Sequence, residues 1–199
     1  MASELPEGKE YTVDHSGQDA IVCGSAPCLP EEYKRASFHM PDAKVFVVNE
    51  ASWGIWGDFL VSYHAEKFDV FKEKSVNPNI PTLTGKGYRS PEEDRQVDYR
   101  FSNIRIGATS VGDALQIAAQ MGFGRIVLVG APMNGCDGYY NKTTTSEGYF
   151  SPRFGSKNQG ESQQVRLNKA KLASIAPDFP MVRSMSGFTQ EVFGAPDWS

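Results

Sequence analysis

Apolar runs at Ala20–Cys23, Val45–Val48 and Ile126–Val129, and a further strand candidate at Asp58–Ser62, punctuate an otherwise polar chain. Each is rich in β-branched or aromatic residues and too short for a buried helix, the pattern of strands covered on both faces. Between the first two lie the turn GSAPCLP and the helix-compatible EEYKRA. That is the spacing of strand, tight turn, helix and parallel strand.

Helical periodicity recurs downstream. Residues 65–74 place Phe68, Val70 and Phe71 near one face. In 109–121, Thr109 or Ser110 can cap a helix whose Val111, Leu115, Ala118 and Ala119 follow the 3.6 period, and Gly122 and Gly124 end it. Short strands are expected near 80–83 and 181–183, a weakly alternating stretch at 99–106, and helices at 161–175 and 188–193. Residues 85–98 read as a surface loop and 50–57, with two tryptophans, as a packed turn or short helix. The fold expected is a single α/β domain, Rossmann-like with a mainly parallel sheet, spanning 19–199 after a polar, loosely attached lead-in at 1–18.

Residues 135–160 break the pattern. They are rich in Gly, Ser, Thr, Asn and Tyr and carry no apolar period. So long an insertion is either a lid over the strand ends or a disordered segment. In the lid reading Tyr139, Tyr140 and Tyr149 reach phosphate or stack on a base; packing of the lid itself is the alternative.

Composition narrows the function classes. The chain has 199 residues, 40% hydrophobic and 12% aromatic, with a net charge of −4 and no basic stripe. Disorder of the whole chain is excluded, and duplex nucleic acid is not an expected partner. No apolar stretch reaches transmembrane length and the first 18 residues are polar, so neither a membrane partner nor a signal peptide is expected. Cys23, Cys28 and Cys136 lack metal-ligand spacing, and the cytoplasm is the natural compartment. Nothing in the sequence sets the oligomeric state.

In open parallel sheets ligands bind at the carboxyl ends of the strands. There stand Gly24, Ser25, Ala26 and Pro27 after the first strand, Asn49 and Glu50 after the second, His64 after the third, and Gly130, Ala131 and Pro132 after the 125–129 strand. Gly24 is suited to a positive φ or to the close approach of a phosphate, or else forms a plain tight turn. The turn is not GxGxxG, so it carries no dinucleotide fingerprint. His64 is the leading acid/base candidate, with Glu50 or Glu66 as carboxylate partner. The bland alternatives are a surface histidine and solvated carboxylates. Asp113 suits the positive end of its helix. Asn134 and Asp137 could hold a divalent cation or simply form turns. Arg153, Lys157 and Arg183 are the nearest cations.

GSAPCLP after the first strand, VVNEA after the second, and TSVGDALQIAAQMGFGRIVLVG together resemble the 6-hydroxymethylpterin diphosphokinase-like family and its phage-borne relatives. More distantly they resemble bacterial sialyltransferases that use a CMP-sugar donor. The resemblance covers roughly residues 19 to 133. It implies a nucleotide phosphate site at Gly24–Pro27, a donor contact at Asn49, and phosphate or ribose at the helix start Thr109–Ser110, where unpaired amides attract anions. Two departures stand out. Gly130 is followed by Ala131-Pro132 where the family often has Asp, and all three histidines (15, 39 and 64) lie upstream of where the sialyltransferases place their base.

The function expected is therefore a transferase using a nucleotide or nucleotide-activated donor, for phosphoryl or glycosyl transfer. The alternatives are a nucleotide- or metabolite-binding module without turnover, and a phage structural or morphogenesis-associated protein reusing the fold, which would act in the host cytoplasm.

Overall fold

A computed structural model describes residues 11–85, 97–104, 109–133 and 163–198. The seven strands β1 (Asp19–Cys23), β2 (Lys44–Val48), β3 (Phe59–Val61), β4 (Thr82–Gly85), β5 (Tyr99–Phe101), β6 (Arg125–Val129) and β7 (Val182–Ser184) form one sheet. Every pairing is parallel, in the order β5-β4-β3-β2-β1-β6-β7. Helices α1 (Leu29–His39), α2 (Phe68–Glu73), α3 (Ser110–Gln120), α4 (Gln163–Ile175) and α5 (Gly187–Phe193) cover it. This is a single Rossmann-like α/β domain.

The continuous apolar runs now have their reason. Ile21, Cys23, Val45, Val47, Val127 and Val129 pack on the layer of α1 and α2, with Leu29, Ala36, Phe68 and Phe71. Their alternate neighbours Ala20, Val22, Phe46, Val48, Ile126 and Leu128 pack on Ala114, Leu115, Ile117 and Ala118 of α3 and on Leu172 and Ile175 of α4. With both faces buried, neither set of positions can be polar. Burial also pushes the Cys23 thiol up from its ordinary range, so it behaves as a core side chain.

Residues 11–18, mostly exposed, touch the core through two rings. His15 stacks on Phe123 at 4.6 Å between ring centroids, and Tyr11 meets Tyr99 edge-on at 5.0 Å. The polar tips are satisfied on the spot: Tyr11 Oη lies 2.8 Å from His15 Nε2, and His15 Nδ1 lies 3.1 Å from Gln18 Oε1. Two amphipathic rings, rather than an apolar run, dock the segment, so hydropathy alone does not reveal it.

One topological feature positions the site. The chain builds outward from β1 through β2, β3, β4 and β5, then returns by α3 to the other side of β1. The order therefore reverses between β1 and β6, and a crevice at a sheet's carboxyl edge is expected at such a point.

Candidate functional site at the carboxyl edge of the sheet

Because β3, β2, β1 and β6 are parallel neighbours, His64, Asn49, Gly24 and Gly130 stand on one edge of the sheet. At about 4.8 Å per strand, this edge runs about 14 Å from Gly130 to His64. It divides into two parts with different chemistry.

The first part is the contact of the two glycine turns. Gly24 keeps an ordinary φ, so the positive φ considered for it is not what it supplies. It supplies room. A Cβ there would fall on the Gly130 carbonyl oxygen and within 2.9 Å of the Ala131 Cβ. Gly130 is the residue with positive φ, at 64°, and a Cβ on it would lie 2.7 Å from the Gly24 oxygen and 2.8 Å from the Leu29 Cβ. The backbone that approaches Gly24 closely thus belongs to the protein itself.

The amides of these turns are engaged. Gly24 N donates to Val129 O at 2.8 Å and Ala26 N to Gly130 O at 2.9 Å. Gly130 N donates to the Glu32 carboxylate at 2.7 Å. Pro27 has no N–H, and Ser25 is half-buried on the loop. Pro132 is buried and its carbonyl accepts from Phe188 N at 2.8 Å, so Ala131–Pro132 is tied to α5. Sequence reasoning does not single out Glu32: a carboxylate in the first turn of a helix suits the dipole anyway, which conceals its second partner.

The second part lies around β2, β3 and the start of α3. Thr109 caps α3, its hydroxyl accepting from Gly112 N at 2.9 Å. Ser110 is buried, and its hydroxyl accepts from Tyr63 N at 2.9 Å, which joins the helix start to the end of β3. Asp113, expected simply to face the dipole, is buried in that same first turn. Asn49 adopts a left-handed backbone, φ 51°, and opens a 3₁₀ turn over Asn49–Trp53. Its side-chain Oδ1 is buried and has no hydrogen-bond partner among the described residues.

Glu50, beside it, is 6% exposed. Burial raises its carboxyl above the usual range, and a backbone hydrogen bond and the Lys67 charge oppose that only in part. The native state thus favours protonated Glu50. Its contribution is fully favourable below the ordinary glutamate range and is lost as pH rises through the elevated folded value. Glu50→Gln should therefore raise Tm at pH 7.5, with the gain shrinking toward zero near pH 4 in parallel melts. A gain independent of pH would show that the charge is not its source.

His64 is half-exposed, and its Nδ1 sits 3.0 Å from Glu66 Oε1. Glu66 lies in a 3₁₀ turn, Ala65–Lys67, rather than on a helix. The pair has the geometry of an imidazole oriented by a carboxylate. Arg183, expected as a cation near the site, instead donates to the carbonyls of Pro180 and Val182 beside β7. Tyr139, Tyr140, Tyr149, Asn134, Asp137, Arg153 and Lys157 lie outside the described residues. Among the described residues no cluster of His, Cys, Asp and Glu could hold a metal ion, and no helix is long and apolar enough to cross a membrane.

Fold and edge define a Rossmann-like α/β domain with polar groups gathered at the carboxyl ends of its strands. No family model matches the chain, and no curated protein sequence does. Among solved structures, it is similar to MAf glycosyltransferase from Magnetospirillum magneticum AMB-1, at 14% identity and a TM-score of 0.45. The match covers 65% of this chain and 26% of that one, so the chain spans about a quarter of that protein's length.

Proposed function

We propose that this protein is a transferase that takes a nucleotide or nucleotide-activated donor, for phosphoryl or glycosyl transfer, at the edge formed by β2, β3 and the N-terminus of α3. The observation that carries the reading is Asn49. A buried acceptor left unpaired costs about 1–3 kcal/mol, a cost that a ligand N–H or O–H at that position would offset. Ribose hydroxyls and base amides both provide such a donor. The start of α3, tied to the end of the neighbouring strand β3 through Tyr63 and Ser110, favours a phosphate by its dipole. The likeness of GSAPCLP, VVNEA and the 109–130 block to the 6-hydroxymethylpterin diphosphokinase-like family supports the same ligand class. The amides of Gly24, Ala26 and Gly130 are engaged within the protein, so the two glycine turns offer them to no phosphate.

In this reading His64, oriented by Glu66, moves the proton of the acceptor hydroxyl, and Glu50, buried beside Asn49, borders the donor site. His64→Ala should lower the single-turnover rate about 10²- to 10⁴-fold. Donor affinity should change less than about tenfold, because an acid/base group acts chiefly in the transition state. His64→Gln should do no better than alanine, since an amide does not exchange a proton near neutral pH.

A second reading, nucleotide capture without turnover, is favoured by the exposure of His64, 49% at the side chain, which leaves it in water rather than in a closed site. Loss of affinity in both variants, together with no turnover in the wild type, would establish that reading instead.

A further inference from the structure

A shallow, open groove of about 780 Å³ runs along α1 from Glu31 to Phe38 and reaches Met185. We propose that this groove is a carbohydrate-binding subsite, anchored by Glu32 and Phe38. Calling its occupant the acceptor rests on the transferase reading above; the subsite itself does not.

The helix register builds the groove. Leu29 and Ala36 face the sheet and are buried. Glu31, Lys34, Arg35 and Phe38 fall at i, i+3, i+4 and i+7 and line the outer face over about 10 Å of helix axis, the length of roughly two pyranose rings. Glu32 lies on the flank, three residues after Leu29 and four before Ala36, and so reaches both ways. One carboxylate oxygen accepts from Gly130 N at 2.7 Å, while the residue also lines the groove. The amide fixes the carboxylate, so little side-chain entropy remains to be lost when a ligand hydroxyl donates to it.

The chemistry of the lining selects among ligands. Among the described lining residues Glu31 and Glu32 are balanced by Lys34 and Arg35, so these exert no net pull on a polyanion and suit a neutral ligand rich in hydroxyls. Carboxylates accept from hydroxyls and the two cations donate to ring and hydroxyl oxygens. Phe38 stands 80% exposed among these charged groups. An aromatic face in that setting matches the C–H face of a pyranose, which is apolar on one side and hydroxylated at its rim. Glu32 links the groove to the edge, because the amide it holds is that of Gly130, the first residue after β6.

The test is saturation-transfer-difference NMR with the methyl glycosides of glucose, galactose, mannose and N-acetylglucosamine, on wild-type protein, Phe38→Ala and Glu32→Gln. Phe38 is too exposed for its truncation to unfold the chain, and glutamine still accepts from Gly130 N; thermal melts verify both. At least one glycoside should bind the wild type with a Kd on the order of 1 mM. Phe38→Ala should weaken it by about tenfold or more, and Glu32→Gln by about tenfold. Absence of binding by every glycoside, or equal binding by folded Phe38→Ala and Glu32→Gln, overturns the proposal. Nucleotide sugars titrated into the same samples separate the two readings. Glycoside binding without nucleotide binding upholds the subsite and removes the word acceptor. Nucleotide binding without glycoside binding overturns the subsite alone.

Discussion

Gly24→Ala should destabilise the protein by about 3 kcal/mol, the upper part of the range for forcing atoms into a packed interior. For a chain of this size that corresponds to a fall of roughly 10 °C in Tm. The added methyl has nowhere to go. It would meet the carbonyl of Gly130, which is backbone on the first turn after β6, and the Ala131 Cβ at 2.9 Å. Gly124→Ala is the matched control. Gly124 has an ordinary φ, and a methyl added there would meet nothing within 4 Å. Its Tm should stay within about 1–2 °C of wild type. If both variants melted together with wild type, the contact between the two glycine turns would not be part of the folded state. The bulkier Gly24→Val, attractive at first sight as a probe of phosphate binding, would mainly report this packing.

Phe123→Ala should cost about 3–5 kcal/mol, the usual effect of emptying a buried phenylalanine site. Phe123 is 2% exposed, stacks on His15 and meets Phe46 edge-on at 5.5 Å. Its loss removes the platform on which residues 11–18 dock. Limited proteolysis should therefore cut the variant within that segment well before the sheet unfolds, while wild type is cut there slowly. Equal cleavage of the two proteins would show that the His15 stack contributes nothing to docking. The same segment is also tied by His15 N to Met121 O and by Gly124 N to Gln18 O, so partial rather than complete release is expected.

Much of the fold is legible in the sequence because burial on two faces writes itself as unbroken apolar runs. Ala20–Cys23 and Ile126–Val129 are central strands in the structure as in the sequence, and Thr109 caps α3 as its position before a helical period implies. What is not legible depends on partners distant in the chain. Gly24 announces a special backbone site, but that the space belongs to Gly130 follows only from the pairing of β1 with β6. Glu32 sits 98 residues from the amide it holds, and its sequence position already has a sufficient local explanation. The docking of Tyr11 and His15 escapes for another reason: rings with polar tips bury their faces without producing an apolar run. At the edge itself, the sequence nominates Asn49, Glu50, His64 and Ser110 by their place after strands or before a helix. Their contrast in environment, from a half-exposed His64 to a buried Ser110, is a property of packing alone.

Isothermal titration calorimetry of free nucleotides and of CMP-, UDP- and GDP-sugars into wild type and Asn49→Gly tests whether Asn49 holds a nucleotide. Glycine keeps the left-handed backbone that Asn49 occupies at φ 51° and removes only the amide, so the fold is left unstrained. Wild-type protein should bind at least one nucleotide-containing ligand. Asn49→Gly should bind it at least about tenfold more weakly, a loss of about 1.4 kcal/mol, with Tm no lower than about 2 °C below wild type. Wild-type protein that binds none of them, or an Asn49→Gly variant that binds as tightly as wild type, would contradict the donor site at Asn49.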